Sequence, residues 1–121
     1  MQNIDMTLVN FKNLENFVLN SFLAMGLRNE DAKIFTDALM FSELRFHSGQ
    51  GQGVQRITTY YKRIKNKEVN INIDLDIVKE SSSLALVDAK NGIGTVQASK
   101  CMDIAITKAK NEGLGLSLIN I

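Results

Sequence analysis

The sequence predicts an α+β fold: an N-terminal three-helix layer followed by part of a mixed β-sheet with a helix packed on it. Two features of the pattern carry this. Apolar residues recur at three- and four-residue steps through the first half of the chain, then alternate with polar ones from Val69. Those are the periods of helix and of extended chain. A third feature is the glycine-rich stretch Gly49-Gln50-Gly51-Gln52-Gly53, which forces a turn between two helices. The change of period divides the chain into a helical region, 1–68, and the start of a sheet region, 69–121, within one continuous domain.

The first helix is read from Phe11, Leu14, Val18, Phe22 and Met25, with Phe17 and Leu23 widening its apolar stripe. Asn10 is placed to cap it and Gly26 to stop it in a left-handed conformation, with Leu27 tucking back under the end. Asn29 is expected to cap the second helix. Glu30 and Asp31 lie in its first turn, where the helix dipole favours carboxylates. Its buried face is Ala32, Phe35, Ala38, Leu39 and Ser42, and the small residues predict close approach to another helix. Beyond the glycine turn, Val54, Ile57, Tyr61 and Ile64 mark a third stripe. Lys62, Arg63 and Lys65 crowd its C-terminal end, a basic cluster read as a solvated helix terminus.

Val69, Ile71, Ile73, Leu75 and Ile77 alternate with Asn70, Asn72, Asp74 and Asp76, which predicts an extended segment. Asn and Asp are poor strand residues, so an irregular edge is the alternative for part of it. A serine turn at 81–83 leads to a short strand, 84–88, and Lys90-Asn91-Gly92 makes another turn. The fourth helix has Val96, Ala98, Met102, Ala105, Ile106 and Ala109 on its inward face and stops at Gly113. Leu114 to Ile121 reads as an apolar strand. Such an ending predicts the first part of a longer protein, or one that relies on a partner.

A chain of 121 residues makes one domain that buries roughly two-thirds of its unfolded surface. A net charge of +1 gives no electrostatic reason to expect nucleic acid or a membrane surface as partner. Apolar runs are too short to span a bilayer. The first residues, Met1-Gln2-Asn3-Ile4-Asp5, lack the basic start and apolar block of a signal peptide, and Cys101 is the single cysteine. Both suit a cytoplasmic location. Cys101 reads as a packed thiol rather than a nucleophile, since no histidine lies near it in sequence.

Usable chemistry is concentrated between Glu43 and Arg56. No metal site is expected, because the chain holds one histidine, His47, far from its one cysteine. The glycine run is neither a Rossmann fingerprint nor a P-loop: no strand precedes it, and no Gly-Lys-Ser/Thr follows. Alternating glycines nevertheless let backbone amides approach a ligand, and Gly53 opens a helix whose N-terminus attracts anions. Arg56 could hold a carboxylate in bidentate fashion, and His47 could exchange a proton near neutral pH. The plainer alternative is an interhelical linker with a solvent-exposed histidine. In that case the chain is a non-catalytic α+β interaction domain.

The run Ser42-Glu43-Leu44-Arg45, Gly53-Val54-Gln55-Arg56-Ile57, Tyr60-Tyr61 and Arg63-Ile64 resembles the N-terminal region of the type 2 malate/L-lactate dehydrogenase family. Ala85-Leu86-Val87-Asp88, Asn91-Gly92-Ile93-Gly94, Met102-Asp103 and Gly113-Leu114-Gly115 continue the resemblance in order over nearly the whole chain. The resemblance implies an NAD(P)-dependent oxidoreductase that interconverts 2-hydroxy and 2-oxo acids, usually as a homo-oligomer, with a fold peculiar to the family. It also implies a chain considerably longer than this one, with most of the NAD or NADP site outside these residues. The family's turn reads Ser-His-Gly-Val-x-Arg, with the histidine as proton donor and acceptor and the arginine near the substrate carboxylate. Alignment on Gly53-Val54-Gln55-Arg56 puts Gly51 at the serine and Gln52 at the histidine. Glutamine cannot transfer a proton as imidazole does. The acid/base candidates are therefore His47 and Gln52, and Arg56, Gly51 and Gly53 are the candidates for holding substrate.

Overall fold

A computed structural model describes residues 7–45 and 53–117. In chain order these form α1 (Phe11–Ala24), α2 (Asn29–Leu44), α3 (Arg56–Lys65), β1 (Asp76–Glu80), β2 (Ala85–Asp88) and α4 (Gly94–Glu112). This is the α+β arrangement expected from the change of period.

The α1 helix starts where Asn10 accepts the Asn13 amide at 3.1 Å. It ends in two bonds that satisfy its last carbonyls: Gly26 N–H donates to Leu23 O and Leu27 N–H to Phe22 O, at 3.0 and 3.1 Å. Gly26 has φ +93° and Leu27 is buried, both as the sequence predicts. The α2 helix begins at Asn29 itself, one residue earlier than a capping Asn29 requires, and the capping position falls to Arg28. The α2 helix packs on α1 and α4.

One core cluster joins Val18 and Phe22 of α1, Ala32, Phe35, Leu39 and Met40 of α2, and Val69, Ile93 and Val96. Phe35 is its hub. It stacks on Phe22 at 4.4 Å and meets Tyr60 edge-on at 4.6 Å, geometries that favour aromatic pairs.

Several apolar positions face outward. Phe17 and Leu23 of α1, Tyr61 of α3, and Met102 and Ile106 of α4 are all exposed. Tyr60 rather than Tyr61 turns inward, because Tyr60 is the one that reaches Phe35. On α4 the covered face is rotated towards Val96, Gln97 and Ala105.

The strand expected from Val69 begins only at Asp76. Its alternating polar residues hold a connector in place. Asn70 N–H bonds to Asn91 O, and Asn70 Nδ2 donates to Lys90 O. Asn72, at φ +59°, accepts from Arg28 N–H at 2.7 Å and donates to Gly26 O at 2.9 Å. β1 and β2 pair antiparallel, with Ile77 opposite Val87 and Lys79 opposite Leu86, so a bulge falls between Ile77 and Lys79. Gly113, at φ +85°, ends α4 as expected. Of the expected final strand, Leu114 to Ser117 pair with no strand among the described residues, and 118–121 lie outside them.

Candidate functional site

The structure describes both shoulders of the turn between α2 and α3. Glu43, in the last turn of α2, accepts a hydrogen bond from the Val54 amide at 2.8 Å. Arg56 N–H then donates to Gly53 O and Ile57 N–H to Val54 O, both at 3.0 Å, which winds the chain into α3. The first amides of a helix lack intrahelical partners and attract carboxylates. Here the chain's own Glu43 takes the Val54 amide. Gly53 is buried, and a Cβ on it would displace the Glu43 carboxylate, so glycine here leaves room for the Glu43 contact.

Arg56 is the first residue of α3 and is half-buried. Its Nε is shielded from solvent and has no hydrogen-bond partner among the described residues. A guanidinium donor withdrawn from water and unpaired is suited to a carboxylate. Gly53 and Arg56 are therefore fixed at one helix start. The other candidates, His47, Gly51 and Gln52, lie outside the described residues.

Sequence reasoning gave Glu43 no separate role. A signal for it existed: a carboxylate in a helix's last turn opposes the dipole, which hints at a tertiary partner. The same reading missed a charged junction on the far side of α2. Asp31, 2% exposed, receives Lys100 Nζ at 2.6 Å on one oxygen. Its other oxygen lies 3.0 Å from Arg28 Nε, an ionic contact in which the N–H direction misses the oxygen. Arg28 also reaches Asp74 at 2.6 Å and Ile73 O at 3.1 Å, and the Asp74 hydrogen bond is the main reason its pKa is raised. The junction ties α2, α4 and the 70–76 connector together.

A cleft of about 700 Å³ lies elsewhere, between β2, α4 and the end of α3. Arg63, Lys90, Lys108 and Cys101 are among its lining residues. Lys90 is paired with Asp76 at 3.2 Å, Lys108 with Glu80 at 2.9 Å, and Arg63 lies over the Tyr60 ring at 5.5 Å. Both lysines are thus engaged by carboxylates of β1. Cys101 is half-buried, and desolvation raises its thiol pKa, in keeping with a packed residue. Among the described residues no group of His, Cys, Asp and Glu could hold a metal ion. No described helix is long and apolar enough to cross a membrane.

The family model for malate/L-lactate dehydrogenase matches residues 9–120. The chain belongs to that family. It is 35% identical to the malate dehydrogenase of Pyrococcus horikoshii over 103 residues, 85% of this chain and 28% of that protein. Against the L-sulfolactate dehydrogenase of Methanocaldococcus jannaschii it is 34% identical over 105 residues, 87% of this chain and 30% of that one. The solved Pyrococcus horikoshii structure matches with a TM-score of 0.82 at 34% identity, over 88% of this chain and 30% of its own. This member of the malate/L-lactate dehydrogenase family thus spans less than a third of the length of these relatives.

Proposed function

We propose that this chain contributes the substrate-carboxylate side of an NAD(P)-dependent oxidoreductase acting on 2-hydroxy and 2-oxo acids. The enzyme is homo-oligomeric and cytoplasmic, and its cofactor is NAD or NADP. The single observation that carries this is the unpaired, shielded Nε of Arg56, at the start of α3, within the segment the family model matches. Arg56 holds the substrate carboxylate through parallel N–H bonds. Gly53 and Gly51 keep the backbone low enough for the substrate to approach, and Glu43 holds the helix start that aims Arg56.

His47 exchanges the proton at the substrate's C2 oxygen, as an imidazole side chain can do. Gln52, at the position of the family's histidine, orients that oxygen through its amide. The described residues offer no complete seat for the dinucleotide, so the nicotinamide site is assigned to the rest of the family fold. Residues 1–68 form the substrate-side layer and 69–121 open the sheet region.

The test is a chimera in which residues 9–120 replace the aligned segment of the Pyrococcus horikoshii enzyme, assayed for nicotinamide-dependent reduction of a panel of 2-oxo acids. Arg56→Ala should raise KM or lower kcat/KM by the equivalent of about 2–5 kcal/mol, the usual cost of unpairing a buried charge partner. His47→Ala should lower kcat and remove a pH-rate limb near neutrality. An active chimera indifferent to Arg56→Ala would overturn the substrate assignment. A pH profile unmoved by His47→Ala would reassign the proton transfer.

A further inference from the structure

The turn Lys90-Asn91-Gly92 does more than carry the chain from β2 to α4. It also anchors the connector that follows α3. Asn91 O accepts the Asn70 N–H at 2.9 Å, and Lys90 O accepts Asn70 Nδ2 at 2.8 Å. Asn91 in turn donates its Nδ2 to Glu68 O at 3.1 Å. Gly92 N–H closes the turn on Ala89 O at 2.8 Å. Asn91 thus meets the connector twice, through its backbone carbonyl and through its side-chain amide. It does so while exposed to water and in the left-handed region, at φ +54°.

The residue that makes this clamp is also the most labile of its kind. An asparagine loses its amide when the backbone nitrogen of the next residue attacks Cγ, and the next side chain is the main obstacle. Of the chain's asparagines only Asn91 is followed by glycine, which has no side chain to obstruct the attack. We propose that Asn91 is a deamidation site, and that its conversion opens the clamp between the 89–92 turn and the 66–72 connector. Gly92 N gives up its proton and bonds to Asn91 Cγ, the Cγ–Nδ2 bond breaks, and ammonia leaves with a cyclic imide behind it. Water then adds to one imide carbonyl and breaks its C–N bond, leaving aspartate or isoaspartate. Nothing is oxidised or reduced. The native turn restrains the first step at two points, because Ala89 O engages the attacking N–H and Glu68 O holds the amide. Reaction therefore waits on local opening. Either product replaces the Nδ2 donor with a carboxylate oxygen that faces the Glu68 carbonyl, so that bond is lost. Isoaspartate also lengthens the backbone by one methylene and removes the geometry that Asn70 and Ala89 require.

The test incubates the 121-residue chain in mildly alkaline buffer, folded and in urea, and follows every asparagine by peptide mapping with isoaspartate detection. Asn91 should convert ahead of the other asparagines in both conditions. Conversion should be about tenfold or more slower in the folded chain, as a reaction gated by local opening requires. Its rate should rise with pH, because the attacking nitrogen must lose its proton. Asn91→Gln cannot form the five-membered ring and should yield no acid at this position over the same period. Hydrogen exchange reads the clamp. In the converted protein the Asn70 amide should exchange about tenfold or more faster than in the parent, while the Met25 amide, bonded to Ser21 O at the end of α1, keeps its parent rate. The proposal is overturned if another asparagine converts first in the folded chain, or if Asn91 converts only in urea. It is equally overturned if folding does not slow the reaction, or if conversion leaves Asn70 exchange at the parent rate.

Discussion

At the scale of single residues, Asp31 is the deeply buried charge among the described residues, held by two cations from different parts of the chain. Removing the charge from such a group leaves its partners partly unmatched. Asp31→Asn should lower unfolding stability by about 2–4 kcal/mol, less than for a fully enclosed pair because Arg28 is partly open to water. A urea midpoint indistinguishable from the parent's would contradict it. The sequence placed Asp31 in a first helical turn correctly, but dipole reasoning could not foresee Lys100, which lies far along the chain. Glu43 repeats the lesson, since its partner Val54 lies across the turn. Cys101 was legible in part, because an apolar helical context predicts packing and the thiol is half-buried. Its thiol is raised by desolvation, so the fold favours the protonated form. That stabilisation is complete below the ordinary thiol pKa and is lost as pH rises through the raised value. Alkylation of the folded protein should accordingly stay slow at neutral pH and accelerate at higher pH than in urea. Equal pH profiles in the two conditions would show the thiol to be unshielded.

At the scale of elements, the helices were legible because their periodicity and end residues agree. Asn10, Gly26 and Gly113 all do what their chemistry suggests. The exposed faces were not, since a stripe shows that a helix is amphipathic and leaves its exact rotation to tertiary contacts. Tyr60 displaced Tyr61 because Phe35 lies on that side. The segment from Val69 shows a different limit. Alternation mimicked a strand, but its polar members are hydrogen-bonding pegs, as the weak strand propensity of Asn and Asp hinted. Asn72 is the strongest case, because it bridges Arg28 N and Gly26 O from a left-handed backbone that asparagine tolerates. Asn72→Ala loses both bonds and strains the backbone, so it should cost about 1–3 kcal/mol by thermal denaturation. Asn72→Gly relieves the strain and should recover only part of that. A glycine variant as stable as the parent would mean that the two hydrogen bonds contribute nothing.

At the scale of the whole molecule, the α+β class and the family were readable because they depend on the order of many weak signals, from Gly53-Val54-Gln55-Arg56 to Gly113-Leu114-Gly115. The cofactor site was not, because it depends on groups brought together from distant segments. The described residues sharpen that expectation. Dinucleotide binding needs donors free to face a pyrophosphate, and both lysines lining the cleft are ion-paired. Lys90 and Lys108 meet Asp76 and Glu80, and Arg63 lies over Tyr60. Capturing a phosphate on either lysine would mean breaking its ion pair and leaving a carboxylate beside the ligand. The isolated 121-residue polypeptide should therefore bind NADH weakly, if at all, while the chimera with the Pyrococcus horikoshii remainder should bind it. Calorimetry separates the cases. Submicromolar affinity in the 121-residue chain would mean that its own cleft rearranges into a dinucleotide site. Loss of that affinity on Arg63→Ala would then locate the phosphate at the end of α3.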